Sequence, residues 1–220
     1  MAKKTKPGKM SPADLRAMIN KSAGMKVAHS LVGENPTEVK EWIPTGSRWL
    51  NSIICRGKIA GIPVGKISEI AGLEATGKSF LAAQVAANAQ KMGMDVVYFD
   101  SESAIDPSFL EKAGCDLESL IYVQAFSVEF VLKMIEQIMA SGQERTLFIW
   151  DSMAFTPAKG DLDGDFNPQS SMALKARILG KAMSKLLISV ANTKSTLLVL
   201  NQLKTNITRM PHEMLTTPYV

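Results

Sequence analysis

The segment "GLEATGKS" (72–79) stands between an apolar run, "KISEIA" (66–71), and an alanine-rich stretch, "KSFLAAQVAANAQKMG" (78–93). The first reads as a strand and the second as a helix closed by Gly93. In that setting the pattern G-x-x-x-x-G-K-[ST] is a phosphate-binding loop. Its glycines let the main chain wrap an anion without a Cβ in the way, and the backbone N–H groups at the helix start point at the anion. Gly72, Leu73, Glu74, Ala75, Thr76, Gly77, Lys78 and Ser79 are therefore the candidate nucleotide cradle. Lys78 would reach the β and γ phosphates, and Ser79 would hold Mg²⁺. Glu74 has the alternative of being a solvated loop residue.

The strand and helix alternation continues. "DVVYFD" (95–100) is an apolar strand, Asp106 and Pro107 start a helix that Gly114 closes, and "LIYVQ" (120–124) is a strand again. Ser127 caps a helix with Val128, Val131, Leu132, Ile135, Ile138 and Met139 on one face, ended by Gly142. "TLFIWD" (146–151), a long helix over about 170–192 and "TLLVLN" (196–201) complete the series. Strands apolar on both faces that alternate with helices imply an α/β fold, a mainly parallel sheet with helices on both sides. In such sheets ligands sit beyond the carboxyl ends of the strands, where Gly72, Asp100, Asp151 and Asn201 fall.

Upstream the pattern differs. Residues 1–10 read as a basic flexible tail, and "SPADLRAMINKSAG" (11–24) as a short helix with Ser11 as N-cap and Pro12 at its first position. Leu15, Met18 and Ile19 give it a narrow apolar stripe that so short a helix must bury against something else, such as another subunit. From Lys26 to Pro63 the pattern is irregular, with "EVKEWI" (38–43) as a candidate strand. The division expected is a tail at 1–10, an N-terminal helix and linker for subunit packing at 11–42, and the core that carries the phosphate loop at 43–220.

A phosphate loop needs a carboxylate near the metal, and Asp151, at the end of "LFIWD", supplies it in the manner of a Walker B strand. Ser152 is placed to orient the metal's water shell. Hydrolysis also needs a group that activates water, and "FDSESAIDP" offers Asp100, Glu102 and Asp106. Glu102 is the favoured base, because Asp106 precedes Pro107 and reads equally well as a helix cap.

Composition narrows the setting. A net charge of +4 with 21% charged residues permits contact with a polyanion without requiring it. The two cysteines, Cys55 and Cys115, have no metal-ligand spacing and read as buried thiols in a reducing cytoplasm. The lysine-rich start is not followed by an apolar export segment. No uncharged apolar run approaches 18 residues, so membrane association is not expected.

With these residues in hand, the chain resembles the RecA-type recombinases, in particular the phage-encoded branch typified by the UvsX protein. The likeness rests on "IPTGSRWLN" (43–51), "GLEATGKS", "FDSESAIDPSFLEKAG" (99–114), "WDSMAFTP" (150–157) and "NQL" (201–203), in that order. It implies a RecA-like core and a DNA-dependent ATPase that uses ATP and Mg²⁺. Such a protein forms a helical filament on single-stranded DNA, pairs it with homologous double-stranded DNA and exchanges strands. Asp106 and Phe109 match adenine-contacting positions, and Asp151 the Walker B acid. Gln202 matches the glutamine that senses γ-phosphate and, with Lys78 and Glu102, completes the catalytic set. The N-terminal helix would dock on the neighbouring protomer. DNA would be held by two loops, at about 159–172 and from 203 onward, with Met172, Arg177, Lys185, Lys204 and Arg209 as contacts. The first loop carries Asp161, Asp163 and Asp165, so a basic-patch argument does not apply to it. Lys175, Arg177, Lys181 and Lys185 read equally as a solvated helix face.

The chain stops at "MLTTPYV", within the segment corresponding to the second loop. The expectation is a fragment that binds nucleotide yet hydrolyses it poorly, because the family's trans-acting cations lie beyond residue 220. Two other readings are a different RecA-fold ATPase, of ring-helicase or clock type, and a non-catalytic remnant that binds ATP or caps filaments. "IPTGS", "SAIDP" and the N-terminal helix argue against the former.

Overall fold

Parallel strands must be joined by crossovers, and the observed elements obey that constraint. The computed structural model describes residues 10–24, 26–32, 38–58, 60–162, 171–205 and 215–216, with the backbone alone at 171–173, 204–205 and 215–216. Its contacts divide into two units, Met1–Glu38 and Val39–Val220.

In the first unit α1 (Pro12–Ala23) begins where Ser11 accepts a hydrogen bond from the Asp14 N–H and ends at Gly24 with φ 65°. Its stripe of Leu15, Met18 and Ile19 is exposed.

The second unit opens with an antiparallel pair, β1 (Trp42–Ile43) and β2 (Ile62–Pro63), flanking a helix that the sequence pattern does not announce, α2 (Arg48–Ile54). Ser47 caps α2, and Asn51 anchors it by accepting from the N–H and hydroxyl of Thr45 at 2.9 and 2.7 Å. Trp49 and Ile53 face outward.

Then follow β3 (Ile67–Gly72), α3 (Lys78–Lys91), β4 (Asp95–Asp100), α4 (Pro107–Lys112), β5 (Leu120–Gln124), α5 (Val128–Ala140), β6 (Thr146–Asp151), the short α6 (Lys159–Leu162), α7 (Ser171–Asn192) and β7 (Thr196–Gln202). A small antiparallel pair, β8 (Lys204–Thr205) and β9 (Leu215–Thr216), closes the described chain. The five long strands form one parallel sheet in the order β3-β7-β6-β4-β5.

Alternation along the central strands sends side chains to two cores. Val96, Tyr98, Leu147, Ile149, Leu198 and Leu200 meet the alanines of α3. Val97, Phe99, Phe148, Trp150, Leu197 and Val199 meet α5 and α7. The alanines of α3 are buried against the sheet, and the loop preceding the helix lies at the strand ends because it continues directly from Gly72, the last residue of β3. Cover on both faces does not extend to the edge strand β5, where Ile121 and Tyr122 are exposed because the sheet stops there. Cys115 is buried, but Cys55 is only half-buried, contrary to expectation, since it lies at the end of the outward-facing α2. Among the described residues no helix is long and apolar enough to cross a membrane.

Candidate nucleotide site

Register brings the strand ends together. Gly72 pairs with Gln202, and Asp100 with Asp151, so residues distant in sequence share one edge of the sheet. The loop between β3 and α3 is tight. Thr76 Oγ1 donates to the Leu73 carbonyl at 2.8 Å, and a Cβ on Gly72 would come within 2.9 Å of that hydroxyl. Gly77 has φ 87°, a conformation L side chains rarely adopt, which explains glycine there. Lys78 Nζ donates to the carbonyls of Gly72 and Leu73, at 3.1 and 2.6 Å.

Beside this loop lies a cavity of about 630 Å³, walled by residues 74–79 and by Phe80, Glu102, Phe109, Asp151, Phe155 and Gln202. A second, of about 350 Å³, shares Ser79, Glu102, Phe109 and Asp151 and adds Asp100 and Asp106. Of the loop residues proposed from sequence, Gly72 and Leu73 do not line the first cavity; their carbonyls hold Lys78 instead.

Among the three acids of "FDSESAIDP" the structure separates the roles. Asp100 is buried, and its carboxylate accepts from the N–H groups of Glu102, Ser103 and Ile105 and from the Tyr122 hydroxyl, so it shapes the turn that carries Glu102. Asp106 caps α4, accepting from the Ser108 N–H and hydroxyl at 2.9 and 2.8 Å, and those bonds lower its pKa. Glu102 projects into the cavity and accepts from Ser152 Oγ at 3.2 Å. Desolvation in the cleft raises its pKa. The Ser152 hydrogen bond opposes the shift, the charges of Asp151 and Asp100 add to it, and Lys78 opposes it.

Asp151 is buried at the cavity wall, which it lines together with Ser79, and accepts from the Tyr98 hydroxyl at 2.8 Å. Burial raises its pKa, and the neighbouring hydroxyls of Ser79 and Tyr98 restrain the shift. Ser79 and Asp151 are hard oxygen donors on one wall, which suits Mg²⁺. Among the described residues no group of three or more His, Cys, Asp or Glu is arranged for a metal, so further ligands would be water and phosphate oxygens, the usual arrangement for this ion.

Of the residues proposed for DNA, Arg177 and Lys185 do not line either cavity. Arg177 and Lys181 are exposed on α7. Lys185 is paired with Glu136 at 2.8 Å. Lys175 is not part of a solvated face. It is 4% exposed and donates to the Ala154 carbonyl at 2.9 Å, because it falls in the buried stripe of Leu179, Leu186 and Val190. The backbone places Met172 in α7 and Lys204 in β8, and Arg209, Asp163 and Asp165 lie outside the described residues.

Several site residues escaped the sequence reading. Phe80 is half exposed at the cavity, its ring centroid 6.0 Å from that of Phe109, and Phe155 faces the same space. Ser101 ties β4 to β6 through the Ser152 carbonyl and N–H, at 2.8 and 2.9 Å. The one available signal was the period of two, which puts Tyr98 on the same face as Asp100.

Comparison with known proteins shows the family. The model of the RecA N-terminal domain matches residues 13–219. Protein RecA of Bifidobacterium breve is 37% identical over 191 residues, 87% of this chain and 47% of that protein. Protein RecA of Fusobacterium nucleatum is 36% identical over 194 residues (88% and 50%), and that of Streptomyces avermitilis 32% over 195 (89% and 49%). The chain spans about half the length of the curated relatives it matches. With the phosphate loop, the paired acids and the sheet order all within the matched residues, the chain belongs to the RecA N-terminal domain family.

Proposed function

We propose that this chain is the nucleotide-binding part of an ATP-dependent DNA recombinase, which assembles as a filament on single-stranded DNA and pairs it with a homologous duplex. The observation that carries the reading is the convergence of the phosphate loop, Ser79 with Asp151, Glu102 and Gln202 on one cavity. In this reading Lys78 turns from the loop carbonyls to the β and γ phosphates, Ser79 and Asp151 hold Mg²⁺, and Asp106 and Phe109 flank the adenine. Bound Mg²⁺ would neutralise charge on the phosphates. Glu102 takes a proton from water as its oxygen bonds to the γ-phosphorus. The bond to the β–γ bridging oxygen then breaks and ADP leaves. A raised carboxyl pKa brings the base toward the working pH. Gln202, hydrogen-bonded strand to strand beside Gly72, is placed to report the γ-phosphate to the segment after β7.

Met172, Arg177, Lys185, Lys204 and Arg209 are proposed as DNA contacts, α1 as the docking element on a neighbouring protomer, and 11–42 and 43–220 as packing region and core. The segments "SESAIDP" and "WDSMAFTP" support a place in the phage-encoded, UvsX-like branch, acting in the bacterial cytoplasm. Electron microscopy with single-stranded DNA and ATP tests the reading: filaments are expected for the wild type and none for Lys78→Ala. Closed rings would contradict it in favour of a helicase-like assembly, and ATP binding without any assembly would favour the remnant.

A further inference from the structure

Tyr98 is fully buried in the apolar core beneath α3. A phenol hydroxyl in such surroundings is costly unless it is hydrogen-bonded. Its partner is Asp151, whose Oδ2 accepts at 2.8 Å. The reach follows from register. Tyr98 stands opposite Ile149, and Asp151, two residues further along β6, is its diagonal neighbour on the same face.

A carboxylate can rotate about its Cβ–Cγ bond, so a fixed donor on one oxygen determines how the group meets the cavity. The donor here is neutral. It orients Asp151 without cancelling the negative charge a cation needs, as a lysine or arginine in the same place would. The rigid ring is held by the core packed around it, so the orientation is set before any ligand arrives.

We propose that Tyr98 is a positioning residue for the divalent cation of the bound nucleotide, setting the site's affinity for Mg²⁺ through Asp151. The inference rests on the nucleotide-binding reading above. Its contrast lies one strand away. Tyr122 makes a similar bond to Asp100, but that carboxylate is occupied by three backbone N–H groups and is turned to its own loop.

The test is binding of a fluorescent ATP analogue to the whole chain as Mg²⁺ is titrated, for wild type and Tyr98→Phe. The Mg²⁺ midpoint should rise about tenfold, the lower end of the range for losing such a supporting bond. Affinity in EDTA should be unchanged, and saturating Mg²⁺ should restore wild-type binding. Tyr98→Met, which also lacks a hydroxyl, should give the same shift. An unchanged midpoint overturns the inference, and so does an equal loss of affinity with and without Mg²⁺, which would make the phenol a structural group only. A wild type that binds no analogue at any Mg²⁺ concentration overturns the nucleotide reading itself.

Discussion

The carboxyl ends of β4 and β6 invite comparison, because each ends on a buried aspartate in matching register and each aspartate accepts a tyrosine hydroxyl. Their surroundings divide the work. Around Asp100 the chain curls back, and three backbone N–H groups fill its oxygens, so it becomes the anchor of a turn. Around Asp151 the hydrogen bond comes from a side chain, Tyr98, and the carboxylate remains on the cavity wall beside Ser79. The same residue in the same register anchors a turn where backbone donors fill its oxygens, and stays on the wall of the larger cavity where they do not. The difference lies in the residues that follow each strand, "SESAID" in one case and "SMAFTP" in the other.

The largest effect expected from that contrast is at Asp151. Asp151→Asn should lower turnover and Mg²⁺-dependent nucleotide binding at least about 100-fold, while denaturant unfolding shows little loss of stability, since an uncharged amide replaces a buried charge. Asp100→Asn should behave in the opposite way. An amide nitrogen facing backbone donors leaves them unsatisfied, so stability should fall by about 1–3 kcal/mol in denaturant unfolding, with Mg²⁺ affinity nearly retained. Equal effects of the two variants on Mg²⁺ affinity would break the comparison.

A pH profile sharpens it. Glu102 is held above the ordinary glutamate range chiefly by desolvation. The base form is therefore lost as pH falls through that raised value, and the acidic limb of the turnover rate should lie above the ordinary glutamate pKa. The sign for stability is the reverse. Between the unfolded and the raised folded pKa values the folded protein binds more protons, so the contributions of Glu102 and Asp151 to stability decline as pH rises through that window. An acidic limb at the ordinary glutamate position would count against the desolvated cleft.

The smallest effect is expected far from the two strand ends. Lys185→Ala breaks an exposed pair with Glu136 and should change stability by less than about 1 kcal/mol. A larger loss in thermal unfolding would mean that polar contacts outside the sheet edge carry comparable weight.

What the sequence shows follows from how local each signal is. Whereas the short α6 falls in a segment that reads as a loop, the five long strands and α3, α4, α5 and α7 are legible because apolar runs and caps lie within a few residues of one another, as with Ser127 and α5. The phosphate loop is legible for the same reason. By contrast α2 is missed: it is only seven residues long, its apolar residues Trp49, Ile53 and Ile54 are exposed, and what anchors it is the pair of Thr45 to Asn51 hydrogen bonds. Tyr98 reads as one more apolar strand residue, since its partner lies in another strand, 53 positions away. Lys175 looks like a surface cation until the buried stripe of Leu179, Leu186 and Val190 is extended back to it. The separation of Asp100, Glu102 and Asp106 into anchor, cavity-lining carboxylate and cap likewise depends on a folded turn that spacing alone does not specify.

The central claim, that this edge of the sheet is an Mg²⁺-ATP site with Glu102 as its base, is tested most directly by single-turnover hydrolysis with Glu102→Gln. The account predicts nucleotide affinity close to wild type, because Lys78, Ser79 and Asp151 are untouched, together with a fall in the hydrolysis step of at least about 100-fold. Equal hydrolysis rates in the variant and the wild type would contradict it.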